Sequence, residues 1–478
     1  MNGGGSALDD VENTDPRMRI PINTIHWNEN LSIQSSAHQN QETPYVPHGQ
    51  NIITKIFRNH FHEFSMQYEE KYEKEYGKFR LERIAHFAES LLTCGDYTNG
   101  VARIQCTDPD CRHEYFRPFS CKRFYLCPSC SQKRALLFGE YISNEVLLTL
   151  PHRHFVFTFP KMLRVYFRNN RKLVSNISRL IIDMILSYYK ASAGKEIQSA
   201  AVFAYQTYGD FMRFNPHYHS LILEGGFDDT GNFIFIPIAD TAAMTECFRK
   251  LVVQYFLDND LISQTLAENL LSWKNSGFSI DNSIQLYSTD KKARESLAQY
   301  IVRCPISLKK IIYEPFKGKV IFHTKYNAYF KENTKLFDAA DFIAELTQHI
   351  PPLRMRLVRY YGLYSSRSRW KWQEWGHVLK HAPDGWREKN SILEKPQEEQ
   401  SHTTDQCAVI SPSKKACASS WARLIAKIYE AAPFVCPRCG SEMKILAVIT
   451  DTHEVKKILK HLVKTGKAPP GVDKSMFE

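Results

Sequence analysis

The chain has 478 residues, room for about two to four domains, and its 62 Lys and Arg against 51 Asp and Glu leave a net charge of +11 that favours a polyanionic partner. Hydrophobic residues make up 43% and aromatic residues 13%, which argues for a globular fold, and no window approaches the roughly 18 uninterrupted apolar residues of a membrane span. The start, MNGGGSALDDVENTD, lacks the basic and apolar runs of a secretory signal, so the 12 cysteines are expected in a reducing, cytoplasmic setting, where clustered pairs bind metal more often than they form disulfides.

Residues 1–50 are rich in Asn, Gln, Ser, Pro and Gly without periodicity and read as a disordered leader. From Ile52 to Leu92 apolar positions recur at helical spacing, and six cysteines follow between Cys94 and Cys130, so 51–140 is expected to be a helical, zinc-binding domain. Over 141–345 the pattern mixes strands and helices. HFVFTF after Pro151 predicts a strand, and Lys161 to Lys190 predicts a long amphipathic helix. AVFAYQTYG and HYHSLILEGG then predict a hairpin around the polar loop from Asp210 to Pro216, with FIFIPI as a further strand. Helical patterns return at Ala242 to Leu270 and at Asp290 to Arg303, the second stopped by Pro305. A basic, aromatic segment spans 346–387, a polar linker 388–418, and a C-terminal module around Cys436-Pro-Arg-Cys439 spans 419–478. No internal repeat is visible.

Cys106-TDPD-Cys111 and Cys127-PS-Cys130 are two short-spaced pairs separated by a loop, the spacing of a tetrahedral thiolate zinc site, and the four are assigned to one Zn²⁺. Cys121, Cys94 and His113 stand as alternative ligands. Cys436 and Cys439 form half of a zinc knuckle that Cys407, Cys417 or His453 would have to complete, or a turn without metal. Cys247 and Cys304 read as small buried apolar residues.

In the strand containing Asn215-Pro216-His217-Tyr218-His219, alternation puts His217 and His219 on one face and Tyr218 on the other. Two imidazoles on a rigid face can chelate a divalent ion, and a hairpin brings Gln206 beside them as an oxygen ligand, leaving room for water and a phosphate oxygen. In KKARESLAQYIVRCP, Leu297, Tyr300 and Ile301 fall at i, i+3 and i+4, which predicts that Tyr300 lies on the buried side of its helix. A tyrosine nucleophile needs a polarised phosphate and neighbouring cations such as Arg303 or Lys309, because a phenol ionises only near pH ~10.

These elements, in this order, resemble the HUH class of single-stranded-DNA nucleases, named for His, hydrophobe, His. More narrowly, the chain resembles the rolling-circle insertion-sequence transposases that carry an N-terminal zinc-binding domain. The resemblance covers roughly Leu81 to Asp473 and rests on SCKRFYLCPSC, PHRHFVFTFPKMLR, QTYGDFMRFNPHYHSLI, YIVRCPISLKKI, HIPPLRMRLVRYYGLYSSRSRW and SWARLIAKIYE followed by FVCPRCGSEMKILAVITD. It implies that His217 and His219 bind Mg²⁺ or Mn²⁺ and that Tyr300 forms a 5'-phosphotyrosine link to one strand. One turn before Tyr300 stands Ser296 rather than a second tyrosine, so the chain resembles the single-tyrosine branch. The implied fold is α+β: an antiparallel-sheet nuclease core over 141–345, a helical zinc-binding module before it and a basic region after it.

From Leu353 to Lys380, Arg354, Arg356, Arg359, Arg367, Arg369, Lys371 and Lys380 face a single acid, Glu374, and are interleaved with Tyr360, Tyr361, Tyr364, Trp370, Trp372 and Trp375. Cations on phosphates and aromatic faces on bases suit single-stranded or hairpin DNA at element ends and target DNA, and a second basic stretch from Lys161 to Lys172 extends the track. Such a protein would be bacterial and nucleoid-associated when on DNA. No G-x-x-x-x-G-K-[ST] loop is present, which argues against a fused helicase. The rival readings are a replication initiator or relaxase using the same His pair and tyrosine, and a zinc-dependent DNA-binding regulator without catalysis.

Overall fold

The computed structural model describes residues 51–168, 170–304, 307–327, 331–390, 435–469 and 472–476. The leader expected over 1–50 and nearly all of the linker expected over 388–418, with Cys407 and Cys417, lie outside the described residues. Among the described residues, the helices of eight or more residues are α1 (Ile52–Gln67), α2 (Leu81–Leu92), α3 (Pro128–Tyr141), α4 (Arg171–Ala193), α5 (Thr241–Asp258), α6 (Gln264–Ser272), α7 (Lys291–Ile301), α8 (Ala339–Thr347) and α9 (Thr452–Lys464). The strands are β1 (Val101–Cys106), β2 (Glu114–Pro118), β3 (His152–Thr158), β4 (Ala200–Tyr208), β5 (Phe214–Leu223), β6 (Gly225–Phe227), β7 (Phe233–Phe235), β8 (Ser279–Leu286), β9 (Ile311–Glu314), β10 (Lys319–Asn327), β11 (Glu332–Asp338), β12 (Val358–Gly362) and β13 (Met443–Ile449). No helix among the described residues is long and apolar enough to cross a membrane.

The fold is α+β with antiparallel sheets, as the sequence implies. Its centre is a five-stranded sheet in the order β12-β4-β5-β3-β8, every neighbouring pair antiparallel. Strand alternation divides β5 between two cores. Tyr218 and Ile222 join the core built with α4 and α5, whereas Leu221 and Leu223 join the core built with α7 and residues 363–386. The edge strand β12 comes from the segment 346–387, so that segment is part of the sheet.

The stretch from Lys161 divides into a short helix at Lys161–Arg164, a 3-10 turn at Val165–Phe167 and then α4. Asn170 caps α4 by accepting from Leu173 N at 2.9 Å, and Gly194, at φ 69°, ends it in the left-handed conformation that costs glycine least. Leu173, Ile177, Ile181 and Ile185 form its buried stripe.

A second three-stranded sheet, β11-β10-β9, shares a core with α1, α2 and α8. The β4–β5 turn reaches into that core. Phe211 and Met212 both have positive φ, 55° and 58°, a strained choice for side chains with a Cβ, and Met212 is buried there. The Met212 carbonyl accepts from His349 Nε2 at 2.8 Å and from Gln348 Nε2 at 3.3 Å, which holds the strained turn.

Helix α7 is seated by its own side chains and its neighbours. Asp290 caps its start, accepting from Ala293 N at 2.8 Å. The buried Arg294 donates to Leu147 O at 2.6 Å and Leu148 O at 2.8 Å. On α3, Gly139 permits close approach: a Cβ there would lie 2.5 Å from Gln299 Cγ and 2.8 Å from Glu295 O. At the far end, Gln206 of β4 donates to Ile301 O at 2.6 Å, satisfying a carbonyl that the last helical turn leaves open. Arg294→Met keeps an unbranched apolar stem and removes the charged donor, leaving the buried Leu147 carbonyl without its partner and Leu148 O with Leu150 N alone. Chemical denaturation should show a loss of about 2 to 3 kcal/mol, whereas an unchanged midpoint would mean that Arg294 does not seat the helix.

Candidate active site and cysteine clusters

On the α7 face of the central sheet, β5 lies between β4 and β3, with His219 opposite Ala204 on one side and Val156 on the other, and His217 opposite Gln206 and Thr158. Both histidines are buried. His217 Nδ1 lies 2.7 Å from Asn215 O, and a carbonyl only accepts, so Nδ1 carries the proton and Nε2 keeps its lone pair. That Nε2 stands 3.1 Å from His219 Nε2. Two lone pairs converging at this separation suit a shared metal ion, for which a nitrogen lies about 2.1 Å from the centre.

A third histidine completes the arrangement. His154 of β3 places Nε2 2.9 Å from His219 Nδ1, with the rings stacked 5.1 Å apart. When His219 donates its Nδ1 proton to His154, its Nε2 is left free to face His217 Nε2. His154 therefore sits behind His219 and orients it. Burial pushes all three imidazoles below the usual histidine range, to about 4 for His154 and His217 and well below 6.5 for His219, with Arg303 lowering both members of the pair further. Neutral imidazoles are the form that binds metal.

Tyr300 lies at this pair. Its ring meets the His219 ring edge-on, centroids 5.5 Å apart, and the Arg303 guanidinium lies 4.1 Å from its centroid. The expectation of a buried Tyr300 is corrected: it is 41% exposed, while Ala298 and Ile301 fill the core beneath α7. The helical spacing placed it at the boundary of the apolar stripe. Gln206 meets both partners, paired with His217 in register while its amide nitrogen holds the end of α7. Lys309 is exposed, and the lysine close enough to feel Arg303 is Lys310. A cavity of about 60 Å³ beside Gln206 and Arg303, lined also by His349, has room for a few waters but is too small for a base.

The basic segment divides sharply. Arg354, Arg356, Arg367 and Trp370 are exposed. Trp372 was expected to stack on bases and is instead fully buried, donating Nε1–H to Leu363 O at 3.1 Å and packing on Trp386 and Tyr364. Tyr364 is likewise buried, 2.5 Å from His152 Nε2. Arg359 lies on the opposite face of β12 from the histidines, on the side of Tyr361, which bonds Ser178 of α4. Arg369 donates to Tyr141 Oη at 2.6 Å and lies over the Tyr141 and Tyr360 rings. In the stretch from Lys161, Arg164, Arg168 and Arg171 donate to the carbonyls of Phe159, Glu75 and Leu353.

The cysteines sort differently from their spacing. The single site expected from Cys106, Cys111, Cys127 and Cys130 does not form. Cys127 and Cys130 meet Cys94 and Cys121, while Cys106 and Cys111 meet Cys436 and Cys439. The reason is the β1–β2 hairpin, which carries Cys106 and Cys111 to its tip, away from the start of α3 where Cys127 and Cys130 lie. In the first cluster Cys94 Sγ is 3.7 Å from Cys127 Sγ and 3.9 Å from Cys130 Sγ, and Cys121 Sγ is 3.5 Å from Cys130 Sγ. Thiolates set tetrahedrally at about 2.3 Å from zinc stand about 3.8 Å apart, so these four fit a structural Zn²⁺. Backbone N–H groups of Cys121 and Arg123 point at the sulfurs of Cys94 and Cys121. His113 belongs to neither cluster, and His453 is exposed beside Glu454. Cys247 is exposed and Cys304 half-buried with its thiol against Tyr125 O, correcting the expectation that both are buried. Sequence reasoning passed over His154 and Arg294, and only the register of β3 against β5 marks the former.

Two family models match, in chain order: a "Transposase zinc-binding domain" over residues 56–159 and a "Putative transposase" domain over 201–371. The first spans the Cys94 cluster and His154, and the second spans the His pair, α7 and β12. The chain is also similar to the transposase for insertion sequence element IS801 of Pseudomonas savastanoi pv. phaseolicola, 26% identical over 293 residues that make up 58% of this chain and 69% of that protein. No solved structure gives a significant match. Tandem matches to both domains, together with the similarity to a curated insertion-sequence transposase, identify the chain as an insertion-sequence transposase with an N-terminal zinc-binding domain.

Proposed function

We propose that this transposase cuts and rejoins single-stranded DNA by transesterification at Tyr300, as an HUH nuclease of the single-tyrosine branch that moves its element by a rolling-circle route. The observation that carries the reading is the convergence of an exposed tyrosine with two buried imidazoles whose lone pairs face each other. His217 and His219 would hold Mg²⁺ or Mn²⁺, with Gln206 offering its amide oxygen. When bound, such an ion polarises a phosphate oxygen and stabilises the charge that develops there.

The chain's own residues supply the rest. The Tyr300 oxygen attacks phosphorus, forming a 5'-phosphotyrosine ester as the bond to the 3'-oxygen breaks, and that oxygen leaves as a 3'-hydroxyl. Arg303, stacked on the ring, places a permanent cation beside the phenol and the phosphate. A later 3'-hydroxyl attacks the ester and returns the phenol, so bond energy is conserved and no nucleotide is consumed. Asn215 and His154 fix the two imidazoles. Exposed Arg354, Arg356, Arg367 and Trp370 offer phosphate contacts and one stacking face to single-stranded or hairpin DNA at the element ends and to target DNA. The protein would work in the bacterial cytoplasm, on the nucleoid.

With labelled single-stranded oligonucleotides and Mg²⁺ or Mn²⁺, the wild type should form a denaturation-resistant adduct, and Tyr300→Phe should lose it while binding the strand about as well. An adduct that survives in Tyr300→Phe, or in the presence of chelator, would contradict the scheme; Tyr218→Phe, altered on the opposite face, should stay active. His154→Ala should weaken Mn²⁺ binding by about 10- to 100-fold in calorimetric titration, as loss of an orienting partner does. An unchanged affinity would remove His154 from the site.

A further inference from the structure

We propose that the second cysteine cluster is a zinc site built from two distant stretches of chain: a zinc ribbon whose halves, Cys106 with Cys111 and Cys436 with Cys439, are separated by most of the protein. Cys106 Sγ lies 3.4 Å from Cys439 Sγ, and Cys111 Sγ lies 3.7 Å from Cys436 Sγ, residues 325 positions apart. These separations are far beyond the roughly 2.05 Å of a disulfide and near the spacing of about 3.8 Å between thiolates around one zinc.

The backbone is built to hold the two halves. Cys106 ends β1, and Cys111 lies in the turn before β2. Strand β13 pairs with β1 in antiparallel register, Cys106 opposite Met443, which makes the sheet β13-β1-β2. Just ahead of β13, Val435 bridges to Glu442, and the turn between them carries Cys436 and Cys439. Cys436 N donates to Ser441 O at 2.8 Å and Gly440 N to Cys436 O at 2.9 Å, with Gly440 at φ 78°. Thr107 N donates to Glu442 O at 2.9 Å, stitching one turn to the other. Two cysteine turns on adjacent antiparallel strands, facing one point, are the arrangement of a zinc ribbon.

A small apolar cluster of Ile104, Cys106, Cys436 and Met443 underlies the site. A separate one joins Val455, Leu459 and Leu462 of α9 to Tyr97, Val101 and Phe116. Neither is large, so metal binding contributes the folding energy that holds the C-terminal segment on the zinc-binding domain. A structural zinc here closes the chain: the segment after residue 434 docks on β1 of the zinc-binding domain.

Full-length protein purified under reducing conditions with zinc should contain two zinc ions per chain by native mass spectrometry. The double variant Cys436→Ser with Cys439→Ser should contain one, held at the Cys94 cluster. Because that variant tests the site only if it folds, alkylation of the wild type supplies a second reading. With zinc bound, Cys106, Cys111, Cys436 and Cys439 should remain unmodified while exposed Cys247 reacts, and chelator should release them. One zinc in the wild type, two in the double variant, alkylation of Cys439 as fast as Cys247, or a disulfide from Cys106 to Cys439 would each overturn the site.

Discussion

Two imidazole nitrogens held 3.1 Å apart on one strand are the constraint around which the catalytic half of this protein is arranged. Alternation alone puts His217 and His219 on the same face, but it leaves each ring free to turn and each proton free to move. The fold removes both freedoms. The Asn215 carbonyl fixes the proton of one ring, His154 holds the back of the other, and the neighbouring strands β4 and β3 hold β5 at the centre of the sheet. Burial then keeps the rings neutral, which is expensive for a charged group and natural for a metal ligand.

The tyrosine helix depends on the same sheet. Gln206, the cross-strand partner of His217, ends α7 by donating to its last carbonyls, so the strand that borders the histidines also sets the height of Tyr300 above them. At its other end Arg294 reaches beneath the helix to residues 147 and 148, just ahead of β3 and His154. The β4–β5 turn is pinned elsewhere, with Met212 in the core of α1, α2 and α8 and its carbonyl on His349. The N-terminal helices and the histidine strand are thus mechanically joined, though no substrate contact is needed to explain the strained backbone at Phe211 and Met212.

Much of this was legible in the sequence where the physics is local. The strand alternation of HYHSLILEGG, the hairpin with AVFAYQTYG and the helix stopped after Arg303 follow from period and turn chemistry. What depends on register or on distant chain was not. His154 looks like any strand histidine until β3 is aligned with β5. Trp372 and Trp370 are equivalent by composition, yet the turn after Arg369 sends one into the core and leaves the other 61% exposed. Cysteine spacing misled for a related reason: two pairs close in sequence are not close in space once a hairpin separates them, and the partners of Cys106 and Cys111 lie more than three hundred residues on.

The sulfur donors of the zinc-binding domain and the proposed nitrogen donors of the central sheet would select different ions. The claim on which the catalytic account rests is that the converging nitrogens are a metal site rather than a hydrogen-bonded pair. Anomalous diffraction from crystals soaked in Mn²⁺ tests it directly. A peak about 2.1 to 2.2 Å from Nε2 of both His217 and His219, on the side facing Tyr300, is the predicted result; no peak at the pair in crystals that bind Mn²⁺ elsewhere would contradict it.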